Sequence, residues 1–229
     1  MTDFRKLTLG IAASFGLPWL LLIVVPAFKY QHIKPIAYDK EADGMDGYYP
    51  QSNANVLGMQ VYIREGCVQC HTQMIRPSQF SADGWHKGWG EDQSARPAEA
   101  TRANTMRDYL SEDVALLGVS RVGPDLANAG YRLAAMDRSA IHAMLYAPHS
   151  VAMWSNMPSY AHLYTVRKAQ GPKSDLALPL TGKFAPAKGY EVVPTPEAEQ
   201  LVDYLLSLKK AAPLPAAALG NLATAAAAK

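Results

Sequence analysis

Cysteine is nearly absent from this chain: there are two in 229 residues, Cys67 and Cys70. That scarcity excludes a disulfide scaffold, and it leaves no second cysteine pair for a zinc knuckle. Charge is also thin. The formal balance is +2 and charged residues make up 18%, so nothing points to nucleic acid or to an acidic, solvating chain. Strand-like alternation and internal repeats are missing too, and an all-α protein with no convincing β-sheet is expected. Ionisable side chains vanish altogether between Leu7 and Phe28, LTLGIAASFGLPWLLLIVVPAF.

That apolar run is what the sequence does have. At about 1.5 Å per residue, a helix of this length crosses a bilayer core of roughly 30 Å. A cleaved signal peptide is the rival reading, because Arg5 and Lys6 precede the run. Signal peptides carry shorter apolar stretches, of roughly 7 to 15 residues, and an anchor over 1–30 is therefore expected. Pro18 and Pro26 lie inside it and are tolerable in a membrane helix. Arg5 and Lys6 on one side nearly balance Lys29 and Lys34 on the other, so charge does not set the orientation.

The segment 31–54 mixes Pro, Gly, Tyr and acidic residues and reads as a tether. From Asn55 a helical spacing of Val56, Met59 and Ile63 runs into CVQCH. The polar stretch 78–120 reads as an insertion, with a short helix across Ala98–Leu110. RVGPDLANAGYR, Arg121–Arg132, contains a Gly-Pro turn and is followed by a helix over Asp137–Tyr146. Ser150–Tyr164 and Arg167–Pro194 read as irregular. PTPEAEQLVDYLLSLKK forms the last helix: Thr195 caps it, Pro196 opens it, and Lys209 and Lys210 face its negative end. The soluble domain thus spans 55–210, and 211–229 is an Ala/Pro-rich tail.

Cys67 and Cys70 are followed at once by His71. A zinc site lacks its second half, and a redox dithiol expects a strand before the cysteines, whereas here a helix precedes them. C-x-x-C-H is the attachment signature of c-type haem: two thiols reach one porphyrin edge and the adjacent histidine faces the iron. One covalent haem c is expected. Attachment of that kind takes place outside the cytosol, which orients the anchor with its N-terminus cytoplasmic and the soluble domain periplasmic, on the bacterial inner membrane.

An electron-transfer haem takes methionine or histidine as its sixth ligand. Met157, held before Pro158 in SNMPSY, is the preferred candidate. Met153, His142, His149 and His162 are the others, and core packing is the alternative role for either methionine. A metal-bound histidine donates its other N–H to an oxygen. The Gly123–Pro124–Leu126 turn could provide that oxygen, or could be an ordinary turn.

VYIREGCVQCHTQMIRP, VGPDL and SNMPSY, in this order behind an anchor, resemble the monohaem subunit of cbb3-type cytochrome c oxidases. The matches cover about Gln60–Pro77, Val122–Leu126 and Met157–Tyr160. The resemblance implies a class I cytochrome c domain with long loop insertions, holding haem c on Cys67 and Cys70 with His71 and Met157 as metal ligands. It also implies that the Pro124 carbonyl holds His71, that Leu126 lies at the cofactor and that Arg76 stands near a propionate. The function implied is an electron relay with no catalytic residue of its own. Electrons would come from a dihaem cytochrome c subunit or a soluble cytochrome c and pass to the catalytic haem-copper subunit. The 78–120 stretch and the tail depart from that family's pattern. A nitric oxide reductase cytochrome subunit and a free-standing anchored carrier or haem sensor are the alternatives.

Overall fold

The computed structural model describes residues 2–31, 53–109, 112, 114–169, 171–172 and 174–211. The expected tether, apart from its ends, and the tail beyond 211 lie outside the described residues. Two units separate.

The first unit holds one helix, α1, Asp3–Tyr30, with a mean hydropathy of 2.1 over its most apolar window. It is long and apolar enough to cross a membrane. The two hydroxyl side chains of its apolar run bond back onto the backbone: Thr8 Oγ1 donates to the Phe4 carbonyl and Ser14 Oγ to the Gly10 carbonyl. A π-helical turn, Leu20–Val24, lies just before Pro26. Proline removes one donor and crowds the carbonyl four residues back, and widening the turn relieves both.

The second unit is mainly helical: α2 (Asn53–Arg64), α3 (Cys67–Cys70), α4 (Ala129–Leu133), α5 (Arg138–Tyr146), α6 (Pro148–Val151) and α7 (Pro196–Ser207). Its core is the crossing of α2 over α7. Met59, Val61 and Tyr62 meet Leu201, Val202, Tyr204 and Leu205, all buried. The helices can approach because Gly58 has no side chain; a Cβ there would lie 2.0 Å from the Gln200 carbonyl oxygen and 2.6 Å from Tyr204 Cβ. The Tyr62 and Tyr204 rings pack 5.4 Å apart. Gly130, on α4, closes against the far end of α7, its N–H donating to the Leu208 carbonyl at 2.8 Å. Thr195 caps α7 as expected, accepting from the Ala198 N–H, with Pro196 first in the helix.

Three expectations differ from what is observed. A two-stranded antiparallel sheet is present, β1 (Tyr164–Lys168) and β2 (Tyr190–Pro194), with Tyr164 opposite Pro194 and Val166 opposite Val192. Each strand has five residues, and only Tyr164 of β1 is buried, so no alternation marks it in sequence. Within Ala98–Leu110 the described residues hold only a 3₁₀ turn, Met106–Tyr109. There the Asp108 carboxylate accepts from the Thr105 N–H at 2.7 Å and from Arg102 at 2.6 and 2.9 Å. Such side-chain bonds compete with a helix. Lys209 and Lys210 lie past the end of α7 and turn away: Lys209 sits over the Tyr131 ring, and Lys210 pairs with Glu112 and covers the Tyr109 ring.

The described part of the 78–112 stretch is bonded into this unit at several points. Asn104 exchanges bonds with Ile75, the Trp89 carbonyl accepts from Asn128, and Gly88 accepts from Arg132.

Candidate functional site

The site is built where α2 ends. Gly66, at φ +72°, takes the left-handed turn that L side chains avoid, and so stops α2 and starts the single turn α3 carrying both cysteines. Both are free thiols; Cys67 is buried and Cys70 partly so. Burial pushes the Cys67 thiol up to about 11, and the Tyr160 phenol opposes that rise.

After α3 the chain runs extended beside residues 117–126. Backbone bonds recur along this pairing: Val119 N–H to Val68 carbonyl, Gln73 N–H to Leu117 carbonyl, Gly123 N–H to Cys70 carbonyl, and Leu126 N–H to Thr72 carbonyl, at 2.7–3.1 Å. His71 is thereby trapped. Its Nδ1 lies 2.8 Å from the Pro124 carbonyl oxygen, which can only accept, so this nitrogen carries the proton and Nε2 is left as a lone-pair donor. Gly123 lies flat on the ring: a Cβ there would be 2.2 Å from Cε1, 2.7 Å from Nδ1 and 2.8 Å from Nε2. Gly118, at φ +87°, presses equally close to the His71 carbonyl. Burial lowers the His71 pKa, with the Pro124 bond acting against it and the Arg132 charge acting with it. The ring is neutral near pH 7.

Beneath this turn sits Asp125, 1% exposed. Its carboxylate accepts from Thr72 Oγ1 (2.6 Å), the Met74 N–H (2.8 Å) and the Ala127 N–H (2.8 Å), pinning the histidine segment to the turn that faces it. Asp83, 2% exposed, does the same one step further out. It accepts from the Arg76 N–H, from the Arg76 guanidinium at two points and from Arg121 Nη1 at 2.7 Å. Burial would raise its pKa, yet the two arginines hold it well below the usual carboxylate range. Arg121 also reaches Thr72 and the Met74 carbonyl, and lies over Trp89.

Among the sequence-predicted residues, Cys67, Cys70, His71, Pro124 and Leu126 are thus brought together, and Arg76 is turned onto Asp83. Met157 lies partly buried against the core, its N–H bonded to Ser155 Oγ. Met153 is 74% exposed. His142 is buried in hydrogen bond with Tyr164, and His162 is exposed against Glu65. Asp83, Asp125, Arg121, Gly118 and Tyr160 were not singled out from sequence as site residues. Arg121, Asp125 and Tyr160 lay inside motifs that the sequence marked, and Asp83 and Gly118 had no local signal.

Residues 12–175, well over half of the chain, match the family described as cytochrome c oxidase, mono-heme subunit/FixO. The chain belongs to this family. Membership makes it a monohaem cytochrome c subunit of a cbb3-type oxidase, implies haem, and implies a catalytic subunit as partner. α1 fits a membrane anchor. The matched span brackets the 78–120 stretch and ends before α7. No curated protein matches the chain.

Proposed function

We propose that this chain is a single-pass anchored electron relay whose class I cytochrome c domain carries one covalent haem c. Cys67 and Cys70 would form the thioether links, and His71 and Met157 would be the iron ligands. The observation that carries this reading is the 2.8 Å contact of His71 Nδ1 with the Pro124 carbonyl. It leaves Nε2 with a lone pair that suits a metal, one residue past two free thiols. Bound here, the haem would supply a one-electron carrier. The residues around it do the rest. Gly123 lets the turn lie against the imidazole, Leu126 ties that turn to Thr72, and the Met157 thioether would raise the potential relative to a second histidine. Arg76 has Nε and Nη2 on Asp83, which leaves Nη1 to meet a propionate.

In this reading 1–30 is the anchor, 31–54 the tether, 55–210 the haem domain and 211–229 the tail. Haem attachment outside the cytosol places the domain in the periplasm and the N-terminus in the cytoplasm. Electrons would enter from a dihaem subunit or soluble cytochrome c and leave to the haem-copper subunit.

The test begins with acidified-acetone extraction of the full-length protein. Haem should stay with the polypeptide; haem that extracts freely refutes covalent attachment. Carbon monoxide should bind the reduced protein poorly, and rapid stoichiometric binding would remove Met157 from the model. Purification in mild detergent should bring down a haem-copper subunit, whereas a subunit with haem and non-haem iron would select a nitric oxide reductase.

A further inference from the structure

The sixth-ligand loop meets the attachment segment at two points in matching register. Tyr160, 9% exposed, lies in the same buried cluster as Cys67. Two residues on, His162 Nε2 lies 2.7 Å from Glu65 Oε2, two residues before Cys67. The pair is asymmetric: the Glu65 side chain is 11% exposed and that of His162 59%. Glu65 does not wander, because its other oxygen accepts from Arg64 Nε at 3.0 Å while Arg64 forks onto Glu197 at 2.8 and 2.8 Å. The circuit closes through α7. Thr195, its cap, accepts nothing from His162 but donates through N–H and Oγ1 to the carbonyl of the next residue, Leu163, at 3.1 and 2.8 Å.

We propose that the Glu65–His162 contact is a clamp that holds the Met157 loop on the haem-attachment segment, making His162 a positioning residue for the sixth ligand. This rests on the reading of Met157 as that ligand. The reach of the chain gives the clamp its effect. Three residues separate Met157 from Tyr160, so the methionine stays within about 11 Å of a fixed point. His162 fixes the loop's direction beyond it. Without His162 the loop keeps its bonds to Leu145 and Tyr146 but loses its polar tie to the attachment segment, and methionine competes less well against any free ligand. A hydrogen bond with one exposed partner contributes about 1 kcal/mol net, which is about fivefold in an equilibrium constant.

The experiment titrates the oxidised, haem-loaded full-length chain in detergent with imidazole and follows loss of the weak red methionine-to-iron band. His162→Ala should bind imidazole about fivefold tighter than wild type, and His162→Gln, which keeps an N–H donor for Glu65, should stay within twofold. Should His162→Ala fail to accumulate, Glu65→Ala reads the same contact from its other end. A fivefold gain there supports the clamp and an unchanged affinity overturns it. Met157→Leu separates the two readings. If the band survives in Met157→Leu, the ligand assignment falls and the clamp falls with it. If the band is lost there while His162→Ala and Glu65→Ala leave imidazole affinity unchanged, the clamp alone is wrong.

Discussion

The two halves of the candidate site are built differently. The His71 half is held by a backbone pairing that bonds almost every second residue of 68–73 to 117–126, with Gly118 and Gly123 in contact at both ends of the histidine. The Met157 half is a loop fastened mainly by side chains, Ser155 to the Met157 N–H, Ser159 to the Tyr146 carbonyl and His162 to Glu65, with one backbone bond from Tyr160 to Leu145. Main-chain pairing tolerates little displacement, whereas single side-chain bonds are individually modest, about 1 kcal/mol net. The histidine side should therefore fail abruptly when altered, and the methionine side gradually.

Gly123→Ala should break the rigid half hardest. Its methyl would stand 2.2 to 2.8 Å from three atoms of the His71 ring. Either the ring or the turn must move, and overpacking of this kind costs about 3 kcal/mol, at the upper end of its usual range. Denaturant unfolding should show that loss, and the Pro124 bond should go with it, so haem loading should drop as well. Unchanged stability and loading would show that the turn is as pliable as the loop opposite. A similar clash at Gly58→Ala, against Gln200 and Tyr204, should cost about 2 kcal/mol but leave the haem spectrum of the folded fraction intact.

Met157→Leu probes the looser half. The swap nearly conserves volume, so stability should fall by less than about 1.5 kcal/mol. Loss of the thioether should abolish the weak red absorption and lower the potential. Redox titration decides it: a variant with the wild-type potential would return the sixth position to another residue.

The same contrast explains what was legible in the sequence. CVQCH is local, and its partner turn GPDL carries its own Gly-Pro signature, so the histidine half could be read residue by residue. The α2 and α7 helices announced themselves by spacing and by the Thr195 cap. Asp83 and Arg121 could not be read this way. An aspartate among polar residues and an arginine before a valine look solvated until the fold buries one and lays the other over Trp89. Nor could the hairpin, since β1 gains its order from pairing with β2 and not from a buried face. The role expected for Lys210 failed for a related reason: the nearby Glu112 and Tyr109 compete for its charge better than the helix end does.

Asp83→Asn should give a smaller effect and separate the two halves by pH. Asp83 is ionised and clasped by Arg76 and Arg121, and its folded pKa lies below the ordinary value of 3.8. A depressed carboxylate contributes stability that is present above the unfolded pKa and lost as pH falls through the folded one. Wild type should therefore lose stability below about pH 4, and Asp83→Asn, weaker by about 1 kcal/mol at neutral pH, should lose less of it there.

The smallest effect is expected at His142, behind the methionine loop. Burial lowers its pKa; Glu199, at 3.4 Å, opposes this and Arg138 supports it, while Asp203 acts with Glu199. A histidine kept neutral by the fold binds a proton more readily when unfolded, so stability is full above the ordinary value of 6.5 and declines as pH drops below it. The decline should be shallow, because Tyr164 and Glu199 remain able to accept from a protonated ring. His142→Gln should flatten the stability profile between pH 6.5 and pH 5 while leaving the acid limb set by Asp83 in place. If the slope survives that substitution, the titration belongs to another group, and the methionine side has no pH sensitivity of its own to set against the acid limb of the histidine side.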